Sequence, residues 1–148
     1  MIKNYLIALC DLLDINMPSV SYDTSKFNSK TMMAMAEINE KGSKIYLMKK
    51  SNPDPDYLFA IAHEMRHIWQ AKTNMDLYLS NYKTANQFSS VNEYNLQLAE
   101  VDANAFAAIV MINMSGVKPT WNNLSDKVIA IVEQQMNSMI DEINSKFS

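Results

Sequence analysis

Five consecutive residues constrain this chain more than any others: His63-Glu64-Met65-Arg66-His67. They sit inside Tyr57–Gln70, where Leu58, Ile61, Ala62, Met65, Ile68 and Trp69 recur at helical spacing. On a helix, residues four apart lie one turn above each other. His63 and His67 therefore project side by side and can hold one metal ion with two imidazoles. Glu64 lies about 100° further round the axis, where its carboxylate reaches a water beside that metal without becoming a ligand. An H-E-x-x-H pattern on a helix is the arrangement of zinc peptidases. The expectation is a small zinc-dependent metallopeptidase with Glu64 as catalytic base.

Two histidines do not complete a catalytic zinc site, which needs three protein ligands and one open position. The chain has only 2 histidines, so the third ligand is a carboxylate or a tyrosine. Glu100 is the favoured candidate, because Asn104 follows it at i+4 on the same helix face. From there the Asn104 amide can orient a ligating histidine from outside the coordination sphere. Glu93, followed at i+4 by Gln97, and Asp102 remain as alternatives; Asp102 points away from the Glu100 face.

The flanking segments place these residues on elements. Ile2, Tyr5, Leu6, Leu9, Leu12 and Leu13 predict an amphipathic first helix that Pro18 stops, with Cys10 as a packing residue on its apolar edge. Val20 and Tyr22 suggest a short strand. The segments 31–39 and 44–49 flank the turn Glu40-Lys41-Gly42-Ser43 and predict a β-hairpin, with Ile45 and Leu47 on one face and Tyr46 and Met48 on the other. Asp54 is the expected N-cap and Pro55 the first residue of the metal helix, which runs to about Lys72. A polar loop spans 74–92, a second long helix 93–113 ends at Gly116 and Pro119, and an amphipathic helix covers 125–146. The fold class expected is α+β: a single zincin-like domain over residues 1–148 with a small, mostly antiparallel sheet.

Composition narrows the partners. Hydrophobic residues make up 48% and charged ones 20%, the balance of a globular domain. The net charge is −3, and lysines and arginines are scattered singly, so no direct nucleic-acid contact is expected. A protein or peptide substrate is the expected partner. One cysteine forbids an intrachain disulfide and fits a reducing compartment. The short apolar run before Asp11 and Asp14 falls short of a signal sequence. No stretch approaches a membrane span, so a cytoplasmic protein is expected.

His63-Glu-Met-Arg-His67 followed by Ala99-Glu-Val-Asp-Ala-Asn-Ala-Phe-Ala-Ala-Ile-Val110 resembles the ImmA/IrrE metallopeptidases, which pair an H-E-x-x-H helix with a later E-x-x-A-N/D-x-F-A-A pattern. The likeness covers roughly residues 44–112. It implies a compact gluzincin-like fold, Glu100 as third ligand of Zn²⁺, and cleavage of a regulatory protein of a mobile element or stress response. The chain departs from the family in carrying Met65-Arg66 where Leu-Gly is common.

The tetrahedral oxyanion of such a reaction needs a donor besides the metal. Tyr78, Tyr82, Tyr94 and Arg66 are the candidates. An extended substrate is expected on a free edge of the Lys44–Lys49 strand. The alternative reading is a metal-stabilised interaction module without turnover. Trp69 and Trp121 read as packing residues, and Met32, Met33 and Met35 as core that could also line a partner groove.

Overall fold

In the computed structural model, which describes residues 2–75, 78, 97–121 and 124–147, seven elements follow one another. They are α1 (Ile2–Leu13), β1 (Ser19–Ser21), β2 (Ala34–Asn39), β3 (Gly42–Leu47), α2 (Pro55–Thr73), α3 (Leu98–Ser115) and α4 (Asp126–Phe147). The described residues form an α+β fold of four helices and one three-stranded sheet.

Helix α1 buries Tyr5, Leu6, Leu9, Cys10 and Leu13 on one stripe. Asp14 ends it, ahead of Pro18, by turning into the left-handed region at φ 55°. That turn returns the N–H groups of Asp14 and Ile15 to the carbonyls of Asp11 and Cys10, at 3.4 and 3.1 Å, and so closes the last turn.

The strand order is β1-β3-β2. β2 and β3 form an antiparallel hairpin from Ala34↔Leu47 to Asn39↔Gly42. Glu40 and Lys41 make its turn, and Gly42 at φ +134° supplies a backbone conformation that a side chain would strain. β1 adds in parallel to the other side of β3, from Ser19↔Lys44 to Ser21↔Tyr46. Ile45 and Leu47 face the core. The Tyr46 ring lies under the ammonium groups of Lys26 and Lys44.

The sheet order overturns one expectation. β3 is paired on both sides and offers no free edge; the open edge beside α2 belongs to β2.

Helix α3 lies between α2 and α4 and is buried almost throughout, from Ala99 to Met111. Its alanines at 99, 103, 105, 107 and 108 allow close approach, while Phe106 and Ile109 fill the space between helices. Among the described residues, α3 is long and apolar enough to qualify as a bilayer span, contrary to the expectation that no stretch does. Here its side chains from Ala99 to Met111 are buried inside the fold. Gln97 is extended at its start, so the helix opens at Leu98 rather than at Glu93. Gly116, left-handed at φ 68°, closes it with an N–H bonded to the Ile112 carbonyl. Val128, Val132, Met139 and Ile143 seat α4 on the core. Most of the polar segment expected over 74–92 lies outside the described residues, as do Glu93, Tyr82 and Tyr94.

Candidate metal centre

Helix α2 starts where local chemistry demands it. Asp54 accepts the Tyr57 N–H at 2.9 Å, Pro55 occupies the first turn, and Asp56 adds negative charge at the positive end of the helix dipole. The helix then carries His63 and His67 one turn apart, with their Nε2 atoms 3.2 Å from each other. Glu100, in the first turn of α3, reaches across to both. Its Oε1 lies 3.4 Å from His63 Nε2 and its Oε2 lies 2.6 Å from His67 Nε2. One ligand atom from each residue falls within 4.8 Å of the others, so these three residues can hold a metal ion. Donors about 2.0–2.2 Å from a tetrahedral ion stand roughly 3.3 Å apart, close to two of these separations.

Hydrogen bonds determine which ring atoms face this centre. His63 Nδ1 lies 2.8 Å from Asn104 Oδ1, an acceptor, so Nδ1 donates and Nε2 offers a lone pair. His67 Nδ1 lies 2.8 Å from Gln70 Oε1. The Gln70 amide nitrogen donates to the Ala99 carbonyl at 2.9 Å and to Asp102 Oδ2 at 2.8 Å, which leaves its oxygen for His67. His67 thus also presents Nε2 inward. In the neutral ring that atom carries no proton, so it has none to give to the buried Glu100 Oε2. Two lone-pair atoms facing each other at 2.6 Å repel, so at this separation they share a proton; a metal in its place would hold the donors roughly 3.3 Å apart.

Charge points the same way. Burial alone would lower the His67 pKa, but the hydrogen bond and charge of Glu100 outweigh it and raise it to about 9. Burial opposes ionisation of Glu100, yet the two histidines hold its carboxyl below the usual range. Arg66 neutralises Asp102 through bonds of 2.7 and 3.0 Å. Glu64 and Glu100 both face the histidine pair, and among the described residues neither pairs with a lysine or arginine. A divalent cation would balance those two charges.

Glu64 stands beside the ligand group. Its Oε2 is 3.7 Å from His63 Nε2, and its Oε1 accepts the Ala36 N–H of β2 at 3.0 Å. The side chain is mostly shielded but reaches solvent, at 19% exposure. An open cleft of about 340 Å³ leads to it, lined by Met32, Met33, Phe59, Ala60, His63 and Glu64. Phe59 meets Trp121 edge-on, which makes Trp121 a packing residue.

Among the oxyanion candidates, Tyr78 lies on the His67 side, its ring 6.3 Å from the imidazole. Burial, then the charges of Glu64 and Glu100, push its phenol pKa up. Arg66 is committed elsewhere: it holds Asp102 and stacks 3.6 Å over the Trp69 ring. Asp102 is likewise occupied by Arg66 and Gln70, away from the ligand group. Sequence reasoning missed Gln70 and the Ala36 N–H. The first carried a signal, since it follows His67 at i+3; the second is a backbone group brought in by the sheet and carried none.

The arrangement stands on its geometry alone: no protein-family model, curated protein or solved structure matches the chain at a significant level.

Proposed function

We propose that this protein is a zinc-dependent metallopeptidase of the ImmA/IrrE type, cutting a peptide bond in a protein substrate. The observation that carries the reading is the placement of Glu64. Its Oε2 faces the His63–His67–Glu100 group from outside it, and a cleft opens onto the same carboxylate. Two imidazoles and one carboxylate are the donor set of a catalytic zinc with an open position. A metal bound there would polarise the scissile carbonyl and acidify a water.

The chain's own residues supply the rest. Glu64 takes the water proton through Oε2 and returns it to the leaving amine. Tyr78, kept protonated by burial and by nearby carboxylates, is the described side chain suited to donate to the developing oxyanion. The substrate strand belongs on β2, not β3. The Ala36 N–H points away from β3 to Glu64, and alternation along an antiparallel strand turns Ala34 and Ile38 the same way. An extended segment adding to that edge brings an apolar side chain over Met32, Met33 and Phe59. The family likeness adds a substrate class, a regulatory protein.

The second reading, a metal-stabilised module without turnover, draws on one observation. The Ala36 bond gives Glu64 a structural task in clipping β2 to α2. Glu64→Gln separates the two, since an amide oxygen still accepts from Ala36 but cannot serve as base. The test is incubation of the zinc-loaded chain with a mixed peptide library, read by mass spectrometry. Cleavage by wild type and none by Glu64→Gln supports the enzyme; an untouched library with a full equivalent of zinc bound overturns it.

A further inference from the structure

We propose that Gln70 and Asp102 form a positioning relay that locks His67 in its Nδ1–H tautomer and so sets the affinity of the centre for its metal, with Arg66 as anchor. The inference rests on the metal-centre reading and is independent of turnover.

Gln70 is fully buried. Its amide cannot flip, because the reversed group would set an oxygen against the Ala99 carbonyl and Asp102 Oδ2, both acceptors. Its oxygen is therefore held at 2.8 Å from His67 Nδ1, and the ring has to donate there. The Nε2 lone pair is directed at Glu100 and His63 as a result.

Asp102 holds the amide in turn. Its buried carboxylate is tolerable because Arg66 meets it with Nε at 2.7 Å and a terminal nitrogen at 3.0 Å. The guanidinium is itself held between Trp69, at 3.6 Å, and Phe106, at 5.0 Å from the ring centres. Gln135 of α4 adds a weaker donor to Asp102 at 3.4 Å. His63 is steadied by one amide of α3, whereas His67 is steadied through three side chains that close only when α2 and α3 are seated together. Metal affinity thereby reports the packing of the two helices. Arg66, where the chain departs from its resembled family, acquires a reason to be present.

The test measures zinc affinity against a competing chelator, and the His67 ring N–H by proton–nitrogen correlation spectra of the zinc-loaded protein. Gln70→Met and Gln70→Glu should each bind zinc on the order of 10–100-fold more weakly. The slowly exchanging Nδ1–H signal of wild type should vanish in Gln70→Met. The double variant Gln70→Glu with Asp102→Asn should recover, because the new carboxylate accepts from both His67 Nδ1 and the new amide. A folded Gln70→Met with wild-type affinity and an unchanged Nδ1–H signal overturns the relay. Should Gln70→Met not fold, the comparison of Gln70→Glu with the double variant decides, and no recovery overturns it. Wild type that binds no zinc removes relay and metal centre together; wild type that binds zinc and cleaves nothing removes only the peptidase reading.

Discussion

Glu100 Oε2 and His67 Nε2 lie 2.6 Å apart in the protein interior, on side chains 2% and 4% exposed. A contact this close between a carboxylate and an imidazole is that of a shared proton, and a metal taking the proton's place would move the donors to roughly 3.3 Å apart. The two occupants are exclusive, which makes the pair a reporter of the site.

The metal-free protein should therefore show a bounded stability window in pH. The His67 pKa is raised from 6.5 to about 9, so its contribution is complete below 6.5 and is lost as pH rises through about 9. Glu100 is shifted down from 4.5, so its contribution is present above 4.5 and is lost on acidification below that. Chelator-treated protein should lose Tm between about pH 6.5 and 9, whereas zinc-loaded protein should hold it there, since the metal replaces the proton. A flat Tm across that range in chelator would contradict the shared-proton geometry.

Glu100→Ala should purify without zinc, while wild type and Glu64→Gln each hold a full equivalent by elemental analysis. Glu100 touches both histidines, whereas Glu64 approaches only one, at 3.7 Å. Zinc retained in Glu100→Ala would move the third ligand elsewhere.

Loss of the base should be visible apart from loss of metal. Glu64→Gln is expected to lower kcat by about 10²–10⁴-fold, the range of a general base, with zinc content unchanged. Activity within tenfold of wild type would assign the base to another group.

The β2 edge can be probed without touching the metal. Ile38→Pro removes an N–H that points away from β3, a substitution edge strands tolerate. Losing one backbone bond to substrate should raise KM by about 5–10-fold with zinc content intact. An unaltered KM would place the substrate off this edge.

Phe106 is 1% exposed and lies beneath Arg66. Phe106→Ala should cost about 3–5 kcal/mol in denaturant unfolding of the zinc-loaded protein. It should also weaken zinc binding if Arg66 needs that ring to stay on Asp102. A cost below about 1 kcal/mol would mean that the α2–α3 interface is looser than drawn.

Much of this was legible before folding. Helix α2 could be placed almost to the residue, because Asp54, Pro55 and the 3.6-residue recurrence of apolar side chains are local signals. The i+4 spacing of His63 and His67, and of Glu100 and Asn104, puts each pair on one helix face whatever the helices pack against. The extent of α1, residues 2 to about 13, was legible too, but what stops it was not. Asp14 rather than Pro18 turns the chain, since a left-handed aspartate is a choice the sequence permits but does not compel. The start of α3 was set too early because apolar and polar residues before Leu98 continue a helical rhythm that Gln97 interrupts.

By itself, then, the sequence determined which residues could share a helix face and offer nitrogen and oxygen donors to one metal, because helical geometry converts spacing into direction. Tertiary structure alone decided that β3 lies inside the sheet, that Ala36 meets Glu64 across 28 residues, and that Asp102 turns from candidate ligand into a partner of Gln70 and Arg66. Those contacts join groups far apart in the chain. Their geometry depends on how apolar faces seat against one another, which no local pattern encodes.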